Sequence, residues 1–315
     1  MLLRLRKSDP LNRKAGFFLL FAGRLAAAFL CTGFVAAAAE PAKSETGVSE
    51  FSFRAWTQQN GLPTNEVTGL SRSRSGYLIV GTPNGVVRFD GRQFSAMTHR
   101  AETAIHDRGI SAFASIPGSD DILAAPRLGG LLRLSGDDFS PYALPERFAE
   151  TPIEALFFEN DITLWIGFKG GFALRKQAGR LEIFDARAGL NEHEPIQFAR
   201  DSRGGVWLAS GSFLAHYENG RLVPASALGA GDKEHVRIAS SRVDGPWVII
   251  GEEVFKLAGG RLKPIAQLSK TTGAYYIQAL LEDASGELWI GTRSAGLHRL
   301  AADNKLRHVA EAPED

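Results

Sequence analysis

The chain has 315 residues, with 36 lysines and arginines against 35 aspartates and glutamates and a formal net charge of +1. Neutrality without a basic run excludes a nucleic-acid interface built on phosphate neutralisation, and 44% apolar with 23% charged residues excludes a disordered chain. The 34 glycines ask for many tight turns, while Cys31 is the single cysteine and leaves folding to packing alone.

The first 39 residues read as an export signal. Arg4, Arg6, Lys7, Arg13 and Lys14 form a basic start, and Leu25 to Ala39 carries no charge and ends in Ala36-Ala37-Ala38-Ala39. This order predicts cleavage near Ala39 and a periplasmic or secreted chain. The alternative is an uncleaved anchor over Ala15 to Ala39, which would confine membrane contact to this end. A lipoprotein signal is disfavoured, because Ala28-Phe29-Leu30 puts bulky residues before Cys31. Residues 40–50 read as a linker, 51–310 as one repeated domain and 311–315 as a tail.

A repeat runs through the domain. Gly76-Tyr77-Leu78-Ile79-Val80-Gly81-Thr82 and Gly286-Glu287-Leu288-Trp289-Ile290-Gly291-Thr292 are its clearest copies. Asp121 to Ala125, Thr163 to Gly167, Gly205 to Ala209 and Gly245 to Ile249 lie between them. Aligning Ile79, Ala124, Trp165, Trp207, Trp247 and Trp289 gives separations of 45, 41, 42, 40 and 42 residues. Each copy holds an apolar run such as Val67 to Leu70, the Trp-centred strand, a Gly-started strand such as Gly85 to Phe89, and a short last strand such as Gln93 to Met97. Four short strands per repeat of about 42 residues predict an all-β fold, a β-propeller of about six four-stranded blades. Helical periodicity is not sustained anywhere in the repeat, which excludes a helical solenoid.

The tryptophans are expected to pack between blades, and Gly81, Gly167 and Gly291 to allow close approach or a bulge. Arg88, Arg133, Arg175 and Arg299 recur near one repeat position, where their aliphatic stems are expected to cover the blade surface. Counting outermost strands gives seven, because Phe51 to Trp56 joins the last strands of the six repeats. Six blades would leave one outer strand over, and seven would lack three strands. The expectation is a six-blade ring closed by pairing residues 51–56 beside the last blade, which hides the open edges.

The first repeat carries a resemblance. Trp56-Thr57-Gln58-Gln59-Asn60-Gly61-Leu62-Pro63-Thr64-Asn65-Glu66-Val67, then Gly76 to Thr82, Asn84-Gly85-Val86 and Arg88-Phe89-Asp90-Gly91, resemble the two-component regulator propeller repeats. These occur in the periplasmic sensor halves of bacterial hybrid two-component proteins and some diguanylate cyclases. The resemblance covers residues 51 to 310 and implies a sensor whose output comes from a kinase or cyclase domain. No such domain precedes Asp315, so the expectation is that a membrane-bound signalling partner supplies the output or that the chain is a truncated or standalone relative.

Catalytic motifs are sparse. The sequence has no phosphate loop, no nucleophile elbow and no metal-ligand spacing, so no catalytic residue, metal or cofactor is assigned. Glu192-His193-Glu194 is the densest acid and histidine cluster and is expected to be a solvated loop. In a propeller the residues entering each innermost strand surround the channel mouth, a common ligand site. They are Asn65 with Glu66, Arg108, Thr151, Glu194, Glu234 with His235, and Tyr275 with Tyr276. Asn65, Arg108, Glu194, Glu234, His235, Tyr275 and Tyr276 are the ligand-binding candidates, for a small polar metabolite or a carbohydrate. The leading expectation is a ligand-sensing or protein-interaction propeller. The alternatives are a lyase or hydrolase using Glu234 and His235, and an envelope scaffold.

Overall fold

The computed structural model describes residues 2–7, 16–20, 51–97, 109–225, 235–268, 277–293 and 295–310. The remaining residues include Cys31, Ala39 and the proposed cleavage region.

Among the described residues the repeats fold as six four-stranded antiparallel meanders. The first holds β4 (Gly69–Arg72), β5 (Leu78–Thr82), β6 (Gly85–Phe89) and β7 (Phe94–Ala96); β1 to β3 precede it and are given below. The second holds β8 (Ile110–Ser115), β9 (Ile122–Pro126), β10 (Leu132–Ser135) and β11 (Asp138–Pro141). The third holds β12 (Ile153–Phe158), β13 (Thr163–Phe168), β14 (Phe172–Gln177) and β15 (Arg180–Phe184). The fourth holds β16 (Ile196–Arg200), β17 (Val206–Ser210), β18 (Phe213–Glu218) and β19 (Arg221–Pro224). The fifth holds β20 (Val236–Ala239), β21 (Trp247–Ile250), β22 (Glu253–Ala258) and β23 (Arg261–Gln267). The sixth holds β24 (Ile277–Glu282), β25 (Leu288–Thr292), β26 (Leu297–Leu300) and β27 (Leu306–Ala310). The first strands of successive meanders touch one another from β4 through β24, so they form the inner wall. The chain is a six-bladed β-propeller.

Burial follows from position in the blade. The second strands are covered on both faces by neighbouring blades, and every residue of β5, β9, β13 and β25 is buried. That is why they read as unbroken apolar runs rather than as an alternation. In the first and third blades the glycine two residues after the central residue makes room for the next blade. A Cβ on Gly81 would lie 2.7 Å from the Phe113 ring and 3.1 Å from Ile110 Cβ, and one on Gly167 would lie 3.1 Å from Ile196 Cβ.

The tryptophans pack between blades and also close a polar motif. Trp165 Nε1 donates to Glu159, Trp207 Nε1 to Asp201 and Trp289 Nε1 to Asp283, each acid lying six residues earlier. In the fifth blade that position is Ser241, and Trp247 Nε1 donates instead to Glu282 of the sixth blade at 2.7 Å. Of the recurring cations, Arg88 and Arg133 keep the expected surface position, and two sit deeper. Arg175 and Arg299 are 6% and 7% exposed and lie over the rings of Trp165 and Trp289. Each also meets a carboxylate, Arg175 that of Glu159 at 2.9 Å and Arg299 that of Glu287 at 3.4 Å. The guanidinium, not only its stem, is therefore part of the packing.

Closure differs from the expected arrangement. β27 is the sixth blade's own fourth strand, so residues 51–56 do not pair beside it. Instead β3 (Phe51–Trp56) pairs antiparallel with β1 (Leu2–Lys7), which pairs with β2 (Gly16–Leu20), in a three-stranded sheet. Phe51 meets the Trp289 ring edge-on at 5.4 Å, and Arg299 lies over it. Trp56, 1% exposed, is buried in the first blade against Leu62, Val67, Val80 and Phe89. With both ends of β3 apolar, it serves as a wedge between the last blade and the first, while β2 touches β24 of the inner wall.

Candidate functional site

A buried β-branched residue leads into each innermost strand: Val67, two residues before β4, and Ile110, Ile153, Ile196, Val236 and Ile277 at the first positions of the other five. These anchor the strand between blades. The residue that follows is polar in every blade: Thr68, Ser111, Glu154, Gln197, Arg237 and Gln278. Three of these six, Ser111, Glu154 and Gln278, are extra residues at register shifts between the first two strands of their blades. A β-bulge leaves its extra residue outside the ladder and re-aims its side chain. The outcome is a polar ring on the inner wall.

Four ring members, Glu154, Gln197, Arg237 and Gln278, line one cavity of about 320 Å³, floored by apolar groups including Ile196, Ile238, Ile277 and Leu280. Gln197 Oε1 accepts a hydrogen bond from Ile238 N at 3.3 Å, which ties blade four to blade five and leaves its amide N–H groups to donate. Ser111 Oγ is spent on the carbonyls of Ile153 and Ala125. Thr68 Oγ1 is buried without a hydrogen-bond partner. Burial pushes the Arg237 guanidinium down from its usual range, against the pull of Glu194. Burial likewise raises the Glu154 carboxyl, against the pull of Lys169.

Of the residues singled out from sequence, Asn65, Glu194 and His235 are described, and each precedes a ring member in the chain by two or more residues. Glu194 and His235 come together, Glu194 Oε2 and His235 Nδ1 being 3.1 Å apart, with His235 60% exposed at the mouth. Asn65 Oδ1 accepts from Gln58 N at 2.8 Å and fixes the loop that enters the first blade. Arg108, Glu234, Tyr275 and Tyr276 lie outside the described residues. Glu192 and His193 face solvent, 71% and 83% exposed, as expected of a loop. Among the described residues no group of three or more His, Cys, Asp or Glu side chains is placed to hold a metal ion.

Arg237 is the functional candidate that sequence reasoning passed over. Its signal was an apolar residue followed by a polar one, recurring 43, 43, 43, 40 and 41 residues apart from Val67 to Ile277.

Comparison with known proteins agrees with this architecture. Residues 273–294 match the family model of the two-component regulator propeller, so the start of the sixth blade carries a repeat of that kind. The extracellular domain of BT4673 from B. thetaiotaomicron superposes with a TM-score of 0.63 at 20% identity, over 78% of this chain and 33% of that one. The extracellular domain of the hybrid two component system BT3049 from the same organism gives 0.65 at 15% identity, over 83% and 37%. This chain thus spans about a third of those two domains. YCF48 from Cyanidioschyzon merolae, a chain of more similar size, gives 0.53 at 15% identity over 76% and 84%. No curated protein matches the sequence.

Proposed function

We propose that this chain is an extracytoplasmic sensory propeller of the two-component type, which binds a small polar ligand in its channel and passes the bound state to a membrane-bound signalling protein. The observation that carries the reading is the polar ring: four side chains with donors, acceptors and charge converge on one apolar-floored cavity. Such a combination is what small-molecule sites require. The regulator-propeller match at residues 273–294 supports the signalling role. The residues 1–39 are proposed to direct export. If cleavage follows near Ala39, β3 would lose β1 and keep its anchors Phe51 and Trp56.

Signalling would proceed by population shift, the ligand favouring one arrangement of the inner strands that a partner reads. The test is a thermal-unfolding screen of the protein against neutral sugars, organic acids and amino acids. One class is expected to raise the midpoint, with about 2.7 kcal/mol of added stability at a hundred times its dissociation constant. The Gln197→Ala, Gln278→Ala double variant should lose that response. Unchanged midpoints throughout, together with stable capture of an envelope protein, would favour a scaffold and contradict the sensory reading.

A further inference from the structure

Arg237 and Glu154 carry opposite charges into the same cavity, and neither forms an ion pair with the other or with any described residue. Among the described residues the Arg237 guanidinium makes one hydrogen bond, a long one of 3.5 Å, to the carbonyl of its neighbour Val236. Its nearest acid, Glu194, is engaged by His235. Elsewhere in the molecule comparable arginines are paired: Arg175 with Glu159, Arg133 with Asp121, Arg88 with Asp137 and Arg299 with Glu287. Glu154 is exposed and Arg237 half-buried, so the desolvation falls mainly on Arg237, and a cation taken partly out of water without a partner is costly.

The strands that carry them, β12 and β20, belong to non-adjacent blades with β16 between them. The two groups therefore address a ligand from different sides. A neutral sugar would satisfy the glutamine amides and leave both charges bare. A simple carboxylate would pair with Arg237 and be repelled by Glu154. A molecule that carries both charges answers both, and a cavity of about 320 Å³ suits a small one.

We propose that the channel binds an α-amino acid as the zwitterion, its carboxylate on Arg237, its ammonium on Glu154 and its side chain over the apolar floor; this rests on the ligand-binding function proposed above. Gln197 and Gln278 would donate to the remaining carboxylate lone pairs.

The test is isothermal titration of the full chain with L-alanine, L-glutamine and L-phenylalanine, each beside its N-acetyl and its amide derivative. At least one free amino acid should bind, and removing either of its charges should weaken it about tenfold or more, the usual scale for a charged hydrogen bond. Arg237→Gln should erase the preference for acid over amide and keep that for amine over N-acetyl. Glu154→Gln should do the reverse. Arg237→Gln should melt at or above the parent temperature, since it removes a half-buried unpaired charge, and Glu154→Gln, at an exposed position, should melt close to it. Absence of heat with all three amino acids, equal binding of the blocked derivatives, or a charge variant that keeps both preferences would overturn the proposal. A neutral sugar that binds parent and both variants alike would overturn it too, yet leave the sensory-ligand reading intact. The blocked derivatives test the parent protein, so the outcome does not depend on any variant folding.

Discussion

Replacing Trp165 with alanine is expected to destabilise the protein by about 3–5 kcal/mol, the usual range for removing a buried tryptophan. The side chain is fully buried on β13. It stacks on Phe184 of its own blade at 5.4 Å and meets Phe198 and Tyr217 of the next at 5.7 and 5.1 Å. Its indole N–H also donates to Glu159. Burial alone would raise that carboxyl, and the hydrogen bonds from Arg175 and Trp165 hold it below the usual range. Trp165→Ala therefore opens a cavity between two blades and removes one donor from a buried anion. Trp207, in the same repeat position but only half-buried, should cost less. Urea unfolding at constant m-value measures both. A loss under about 1 kcal/mol for Trp165 would mean that the blades do not depend on their interfaces.

Glu282→Ala is expected to cost a similar amount through charge rather than volume. Glu282 Oε2 accepts from Trp247 Nε1 at 2.7 Å and from Ser241 Oγ at 2.6 Å, and Oε1 accepts from Arg242 N at 2.8 Å. Lys256 Nζ lies 3.8 Å from Oε2, donates to Ser241 and sits 4.3 Å above the Trp247 ring. The side chains of Lys256 and Glu282 are 11% and 5% exposed. Removing the acid leaves a buried cation with no carboxylate, a situation that costs about 3–5 kcal/mol. Lys256→Met in the same background should recover most of the loss.

The pair also makes a pH dependence. Burial pushes the Lys256 amine down from 10.5 to about 8, against the pull of Glu282 and Asp244. Between about pH 8 and 10.5 the unfolded chain holds more protons at this group than the folded one, so stability rises with pH there. The full rise is at most about 3 kcal/mol, at 1.36 kcal/mol for each pH unit of the difference. It should vanish in Lys256→Met. A flat profile in the parent protein between pH 8 and 10 would contradict the burial of this amine.

Much of this fold was legible because one instruction is written six times. The apolar second strand recurs at nearly constant spacing, with tryptophan at its centre in four blades and glycine two residues later in three, and the structure uses both as the sequence implies, ring between blades and, at Gly81 and Gly167, glycine under the neighbour's anchor. Closure was not legible. The pairing of β3 depends on residues 2–20, whose basic and apolar pattern reads as a leader and carries no strand signal. The acid six residues before each tryptophan was visible in the sequence, but its replacement in the fifth blade by Glu282 from the sixth is a spatial event that no spacing announces.

For the site, the sequence brought the reading to the channel mouth and stopped one turn short. Glu194 and His235 face outward and pair with each other. The inward-facing residues follow the buried anchors, and at Ser111, Glu154 and Gln278 they do so by means of bulges. Alternation along a regular strand does not predict a bulge residue's direction. The unpaired state of Arg237 and Glu154 is likewise a matter of distance, invisible until the blades are assembled.

Amide hydrogen exchange tests most directly the claim that the inner wall is where this propeller senses. With a saturating amount of the amino acid that binds most tightly, exchange should slow in β12, β16, β20 and β24, the strands that carry Glu154, Gln197, Arg237 and Gln278, and stay unchanged in β15, β19, β23 and β27. Protection confined to those outermost strands, or no protection of the inner strands while binding is measured by heat, would place the ligand elsewhere and contradict the account.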